Sequence, residues 1–243
     1  MHRSSIRYEK RPEDPVNELV KEELHRITKR HRWGTPRLVE TIRKELPVNH
    51  KRIERIYQEE GLALPRKRPR RKRPGTNAAR EIEATRLERV WSMDFLFDLT
   101  VYGLQLKILT IIDEFSRESL EIRVEKRLTS ADLIETLDQL FAEYGKPVFI
   151  RTDNGPEFIA KKLEAWLEEQ GVKLIHIEPG SPWPNGYIES FNGKFREECL
   201  NEELFYSRAE AQVVADWYRE VYNTERPHSS LGYLTPSEYA SRN

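Results

Sequence analysis

"IRTDNGPEF", residues 150–158, places a polar turn where an apolar run ends. Val148, Phe149 and Ile150 lead through Arg151 and Thr152 into Asp153-Asn154-Gly155, which breaks a strand, and Pro156 is placed to open a helix. Asn154-Gly155 alone would make the turn. A carboxylate added at the mouth of a buried strand is expensive to desolvate, so Asp153 needs something to pair with.

The flanking sequence supplies the layers around that turn. "RVWSMDFLFDLTV" and "LQLKILTIIDEFS" are β-rich runs joined at Tyr102-Gly103, a hairpin, and "SLEIRVEKR" alternates as a third strand. Ser130 then caps a helix whose Leu133, Ile134, Leu137, Leu140, Phe141 and Tyr144 form one stripe ending at Gly145. The strand "PVFIRT" follows. Next comes a helix with Phe158, Ile159, Leu163, Trp166 and Leu167 that ends at Gly171, and then the strand "VKLIHIE". A Pro/Gly-rich loop, "PGSPWPNG", precedes the helix "YIESFNGKFREECL". A last helix opens on a capping box, Ser207 with Glu210, and carries Val214, Trp217, Tyr218 and Val221 toward a core. Three antiparallel strands followed by βαβα describe an α/β layered domain.

The front of the chain is different. Val16, Leu19, Val20, Leu24 and Ile27 recur at helical spacing. Thr35 is placed to cap a second helix with Pro36 as its first residue, and Asn49 to cap a third, "HKRIERIYQEE", which stops at Gly61. Helix, short turn, helix, with His50, Lys51, Arg52 and Arg55 early in the last, is the layout of a helix-turn-helix that contacts DNA. "RKRPRRKRPG", residues 66–75, then sets Arg66, Lys67, Arg68, Arg70, Arg71, Lys72 and Arg73 among prolines, a linker that can neutralise phosphates.

The charge is segregated in the same way. The formal net charge is +0, yet residues 1–80 hold 23 Lys+Arg against 11 Asp+Glu and the remainder 18 against 30. A basic front and an acidic back suggest a polyanion for the front and cations for the back. No apolar stretch approaches the ~20 residues that cross a membrane. The first thirty residues are too charged for a signal peptide, and the single cysteine, Cys199, excludes a Cys-rich zinc site, so a reducing cytoplasm is expected.

Three acids stand out within the layered domain. Asp94 is mid-way along the first strand, Asp153 at the end of the fourth, and Glu189 on the helix after the Pro/Gly loop. On that helix Tyr187, Phe191 and Phe195 can face a core while Glu189, Asn192 and Arg196 share another face. Two carboxylates ~5 Å apart repel by roughly 3 kcal/mol at an effective dielectric of ~20, so converging acids need a counterion or raised pKa values. Hard oxygen donors suit Mg²⁺ or Mn²⁺, and two such ions can serve phosphoryl displacement.

"WSMDF", "RTDNGPEF" and "SPWPNGYIESFNGKFREECL" resemble the three acidic blocks of the DDE transposase/integrase superfamily. More specifically the chain resembles the OrfB product of insertion sequences of the IS-three family. "HRWGTPRLVETIRKELPVNHKRIERIYQEEGL" is similar to that family's helix-turn-helix block, and "YNTERPHSSLGYLTPSEYA" to its C-terminal signature. The resemblance implies a ribonuclease H-like core and a metal-dependent strand transfer in which a 3′-OH attacks a phosphodiester at insertion-sequence ends. Asp94 would bridge two Mg²⁺ or Mn²⁺ ions, with Asp153 and Glu189 each holding one. The family's basic residue seven positions after the acidic Glu is here Arg196, a phosphate contact, and Asn154 and Asn192 are further candidate DNA contacts. The expected organisation is a helical DNA-binding domain at 1–62, a basic linker at 63–85, a ribonuclease H-like catalytic core at 86–205 and a C-terminal helix and tail at 206–243.

The implied partners are double-stranded DNA (element ends and target) and further copies of the chain on that DNA, in the bacterial cytoplasm and its nucleoid. An upstream OrfA part, separate or fused, is also implied. No heptad run is present, so end recognition and multimerisation are expected to lie partly outside these residues. Asp113 is expected to serve a turn, Glu157 the first turn of a helix, and His228 the fold; Trp217 is expected in the core and Trp183 on a base or as a loop anchor. The rival reading is a DNA-binding repressor or architectural protein with a relic catalytic site, which the presence of all three acids and Arg196 disfavours.

Overall fold

Strand β1, Val90–Leu99, lies at the centre of a five-stranded sheet of order β3-β2-β1-β4-β5. It alternates residue by residue, and in its first half both faces are covered, with Val90, Trp91, Ser92 and Met93 all buried. In the computed structural model, residues 14–64, 87, 89–177 and 186–242 are described. The chain divides into two compact units, residues 1–69 and 70–243.

In the second unit β2 (Gln105–Asp113) returns antiparallel to β1, from Leu99 opposite Gln105 to Trp91 opposite Asp113. The turn between them needs Gly103, whose φ of 77° lies in the left-handed region that side chains avoid. Strand β3 (Ser119–Glu125) pairs antiparallel with β2, with a register shift between Ile111 and Ile112. After helix α4 (Ser130–Tyr144), β4 (Phe149–Thr152) enters parallel to β1, Ser92 opposite Arg151. Helix α5 (Lys161–Glu169) and the edge strand β5 (Lys173–His176, parallel to β4) complete the sheet. Helix α6 (Gly186–Phe195) runs directly into a π-helical turn, Arg196–Leu200, and α7 (Arg208–Thr224) and α8 (Pro236–Ala240) follow.

The alternation of β1 and β2 builds two cores. One face sends Trp91, Met93, Leu109 and Ile111 against Leu133 and Leu137 of α4 and Leu163 and Leu167 of α5. The other sends Ile108 and Ile112, together with Ile122 of β3, against Ile188, Phe191 and Phe195 of α6 and Ala211, Ala215, Tyr218 and Tyr222 of α7. Helix α7 also bonds to β3: Gln212 Nε2 donates to the Ile122 carbonyl at 2.8 Å, and Asn223 both donates to and accepts from the Ser119 backbone. Residues 206–242 are therefore a layer of this unit.

Several sequence expectations shift. Thr129, not Ser130, caps α4, in a reciprocal box with Asp132. Ser207 caps α7 by accepting from Glu210 N–H, but Glu210 returns its bond to Tyr206. Pro156 opens a turn and no helix; α5 starts at Lys161, leaving Phe158 buried ahead of it and Ile159 exposed. Trp217 is exposed, because α7 turns its small residues Ala211 and Ala215 onto the sheet.

The first unit is three helices, α1 (Pro15–Arg30), α2 (Thr35–Glu45) and α3 (His50–Glu59), around Val20, Leu24, Ile27, Leu38, Ile42, Ile53 and Ile56. Asn49 caps α3 by accepting from Lys51 N–H; α2 begins at Thr35 itself, after Gly34, which lends no side chain.

Candidate active site

Two residues beyond the Ser92–Arg151 pair, β1 reaches Asp94 and the chain leaving β4 reaches Asp153. The parallel pairing thus brings the mid-strand acid level with the acid of the opening turn. Asp94 is half-buried, and its Oδ1 accepts from the following N–H of Phe95 at 2.8 Å. Its Oδ2 accepts from Asn192 Nδ2 on α6 at 2.8 Å, and Asn192 Oδ1 accepts from Thr110 Oγ1 at 2.9 Å. Burial pushes the Asp94 carboxyl up to about 6, against the bonds from Phe95 and Asn192, and the charges of Asp153 and Glu189 add to the rise. The charges of the other two acids therefore both reach the Asp94 carboxyl.

Asp153 is exposed, and its Oδ1 accepts from Gly155 N–H at 3.0 Å, closing the turn on itself. Space at Gly155 is tight: a Cβ would stand 3.1 Å from Asp153 Oδ1 and 3.3 Å from the Phe158 ring, so a larger residue would make the carboxylate or the ring shift. The turn is docked from the opposite face of the sheet. Phe158 stacks on Phe95 at 4.7 Å between centroids, and Glu157 accepts from Lys107 Nζ at 2.6 Å, with that ammonium 4.0 Å above the Phe95 ring. Glu157 is thus a tether for the Asp153 turn; the acid in the first turn of α5 is Glu164.

Glu189 is exposed in the first turn of α6. That helix buries Ile188, Phe191 and Phe195, while Tyr187 stays outside. Asn192, expected on the polar face, is buried and bound to Asp94 and Thr110, so it serves the acid from within and does not face DNA. Arg196 is half-buried and donates to the Phe97 carbonyl at 3.0 Å. Asn154 is exposed and donates to the Ile177 carbonyl at 2.8 Å.

No described lysine, arginine or histidine forms an ion pair with Asp94, Asp153 or Glu189. The neighbouring cations are committed elsewhere: Lys107 to Glu157, and buried Arg151 to the buried Glu114 carboxylate at 2.6 and 2.7 Å. Among the described residues no three acidic, His or Cys side chains stand as a ready-made metal cluster. The three oxygen donors nevertheless suit a hard divalent cation, which would relieve their repulsion on Asp94. Asp113 accepts from Phe115 N–H, Ser116 N–H and Ser116 Oγ, a turn role. His228 is buried edge-on to Tyr222.

In the first unit His50 and Lys51 are exposed at the start of α3. Arg52, expected to reach DNA, instead ties α3 to α1 through Asp14 at 2.5 Å and Asn17 at 2.7 Å. Arg55 is exposed and paired with Glu59 at 3.1 Å. Arg66, Lys67, Arg68, Arg70, Arg71, Lys72, Arg73 and Trp183 lie outside the described residues. No described helix is long and apolar enough to cross a membrane.

Sequence reading missed Thr110, the Lys107–Glu157 tether and the Ser92–Glu114–Arg151 network, since each partner lies far away in the chain.

Residues 84–182 and 170–236 match two family models, each an integrase core domain, and residues 15–72 match an HTH-like domain. An uncharacterized 39.2 kDa protein of insertion element IS476 from Xanthomonas euvesicatoria is 44% identical over 230 residues, 93% of this chain and 66% of that protein. An uncharacterized 31.7 kDa protein of insertion element IS407 from Burkholderia multivorans is 42% identical over 246 residues, covering 100% of this chain and 87% of its own length. A transposase for insertion sequence element IS904 from Lactococcus lactis is 26% identical, over 93% of this chain and 95% of its own. In fold, the integrase catalytic core of HTLV-2, solved with magnesium, superposes with a TM-score of 0.53 at 18% identity, over 65% of this chain and 99% of that one. A chain of the simian T-cell lymphotropic virus intasome superposes with a TM-score of 0.57 at 17% identity, over 90% and 74%. The five-stranded mixed sheet with its preceding helical unit is thus a ribonuclease H-like integrase core behind an HTH-like domain, and the chain belongs to the integrase-core family of insertion-element transposases.

Proposed function

We propose that Asp94, Asp153 and Glu189 form the catalytic triad of a DNA strand transferase that acts at the ends of an insertion sequence. A single observation carries this: the parallel β1–β4 pairing sets Asp94 level with Asp153, and Asn192 of α6, the helix that bears Glu189, donates to Asp94 Oδ2 at 2.8 Å, with no described cation paired to any of the three. Among the described residues nothing supplies the positive charge that the site calls for. Mg²⁺ or Mn²⁺ ions, two per site and held by these acids, would supply Lewis acidity to the attacking and leaving oxygens when bound.

The chain's own groups do the positioning. Asn192 holds Asp94 Oδ2, so the carboxylate presents one oriented face. The Asp153 turn, closed by Gly155 N–H and tethered through Glu157, aims the second carboxylate. A water first attacks the phosphodiester at the element end and frees a 3′-OH. That 3′-OH then attacks a second phosphodiester, forming one P–O bond as another breaks.

Under the same reading, residues 1–62 bind the ends through exposed His50, Lys51 and Arg55, and 63–85 neutralise phosphates between the units. The core occupies 86–205, closed by 206–243. Double-stranded ends and target, a further copy of the chain and an OrfA-type protein are the proposed partners, in a bacterial nucleoid. Asp94→Asn, Asp153→Asn and Glu189→Gln should each abolish joined products from labelled element ends in Mn²⁺ while end binding by gel shift persists. Joined products from any one of the three would reject the triad.

A further inference from the structure

Two described residues other than glycine sit at positive φ, Arg117 at 65° and Tyr233 at 64°. A left-handed backbone is unfavourable for such a residue and persists only where its surroundings hold it. Arg117 lies in the turn after β2, where its Nη1 donates to the Glu114 carbonyl and its guanidinium stands 3.6 Å from the centroid of the Tyr187 ring. Tyr187 is 44% exposed, so the core does not hold it; the guanidinium does. It precedes Glu189 by two residues in the first turn of α6. On the other side, the carboxylate of the same Glu114 holds Arg151, two residues before Asp153. One strained turn therefore connects the two elements that deliver the outer acids.

We infer that Arg117 and Tyr187 are positioning residues: the guanidinium stacked on the ring fixes the first turn of α6 and sets Glu189 against Asp153 through Glu114 and Arg151. This rests on the triad reading. The inner face of α6 is already held by Ile188, Phe191 and Phe195. What the outer stack adds is control over rotation of the helix about its own axis, which is what aims a first-turn side chain.

Arg117→Gly removes the cation and relieves the strained backbone together, so loss of function and loss of stability separate. In the full chain the core's melting temperature should hold or rise, hydrogen exchange across 186–195 should quicken, and the Mn²⁺ dissociation constant by calorimetry should weaken about 10-fold, the scale for groups that orient metal ligands. Tyr187→Phe should match the parent and Tyr187→Leu should match Arg117→Gly. Unchanged exchange and unchanged Mn²⁺ affinity in Arg117→Gly overturn the inference, as does damage from Tyr187→Phe equal to that from Tyr187→Leu. Parent Mn²⁺ binding that is absent, or that survives Asp94→Asn, sinks the triad instead, and the exchange measurement then decides the stack alone.

Discussion

Asp94→Asn should inactivate the protein and also make it more stable at neutral pH. Folding raises this carboxyl from 3.8 to about 6, with burial the largest cause. The folded state therefore binds that proton more tightly than the unfolded chain. The resulting stabilisation is fully present below 3.8 and is lost as pH climbs through about 6. At about pH 7.5 the ionised group costs at most about 3 kcal/mol. Asp94 is only half-buried, and solvent screening lowers that to about 2 kcal/mol. An amide at 94 carries no charge and still accepts from Asn192 Nδ2, so the variant should recover most of it. For a unit of this size that raises the melting temperature by about 4–8 °C. At about pH 5 the parent carboxyl is largely protonated when folded, and the gap should shrink by about half. Scanning calorimetry of both proteins across that range checks this, and taking the difference cancels every other titrating group. An Asp94→Asn protein no more stable than its parent at neutral pH, or a gap that does not change with pH, would refute the account of the site's electrostatics.

Asn192→Leu strips Asp94 Oδ2 of its donor and leaves Thr110 Oγ1 only the longer bond to the Asp94 carbonyl at 3.3 Å, so it should cost about 1–3 kcal/mol in thermal unfolding and cut strand transfer while end binding stays; unchanged transfer would remove Asn192 from the site. Lys107→Glu should loosen the Asp153 turn at a cost of about 1.5–3 kcal/mol, and the exchanged pair, Lys107→Glu with Glu157→Lys, should regain at least half in a double-mutant cycle; strictly additive losses would mean that the ion pair is incidental. Arg226→Met leaves Glu198 inside the fold without its bidentate partner at 2.6 and 2.7 Å, so a loss of about 3–5 kcal/mol is expected, and adding Glu198→Leu should restore most of it in denaturant melts.

The layered fold was legible because it rests on local pattern: polar and apolar residues alternating along β1, and turn residues at Gly103 and Gly155. What was misread depended on distance. Helical spacing grouped Asn192 with Glu189 and Arg196 as a polar face, but a buried amide looks like an exposed one until its partners, Asp94 and Thr110, are known. Hydrophobicity marked Trp217 for the core. The sheet instead takes Ala211, Ala215, Tyr218 and Tyr222, which recur at helical spacing on one face of α7, and Trp217 falls off that face. Pro156 read as a helix start, yet Phe158 must first reach across to stack on Phe95.

Under the proposed triad, that same dependence accounts for how an acidic core would hold such a site ready. Each acid is steadied from behind by groups that do not neutralise it: Asp94 by Asn192, the Asp153 turn by Gly155 N–H and the Lys107–Glu157 bridge, and α6 by Arg117 under Tyr187. A lysine or arginine salt-bridged to the triad would have stabilised the empty site, but it would also have occupied the oxygens and the charge deficit that a metal and a phosphodiester require. Committing Lys107, Arg151 and Arg117 to Glu157, Glu114 and Tyr187 fixes geometry and leaves the three acids without a counterion among the described residues. Preorganised charge of this kind favours whatever brings positive charge at the moment of reaction. Divalent ions should therefore stabilise the parent core far more than the Asp94→Asn core, a difference in melting temperature that grows with metal concentration. Equal stabilisation of both would locate the bound ion elsewhere.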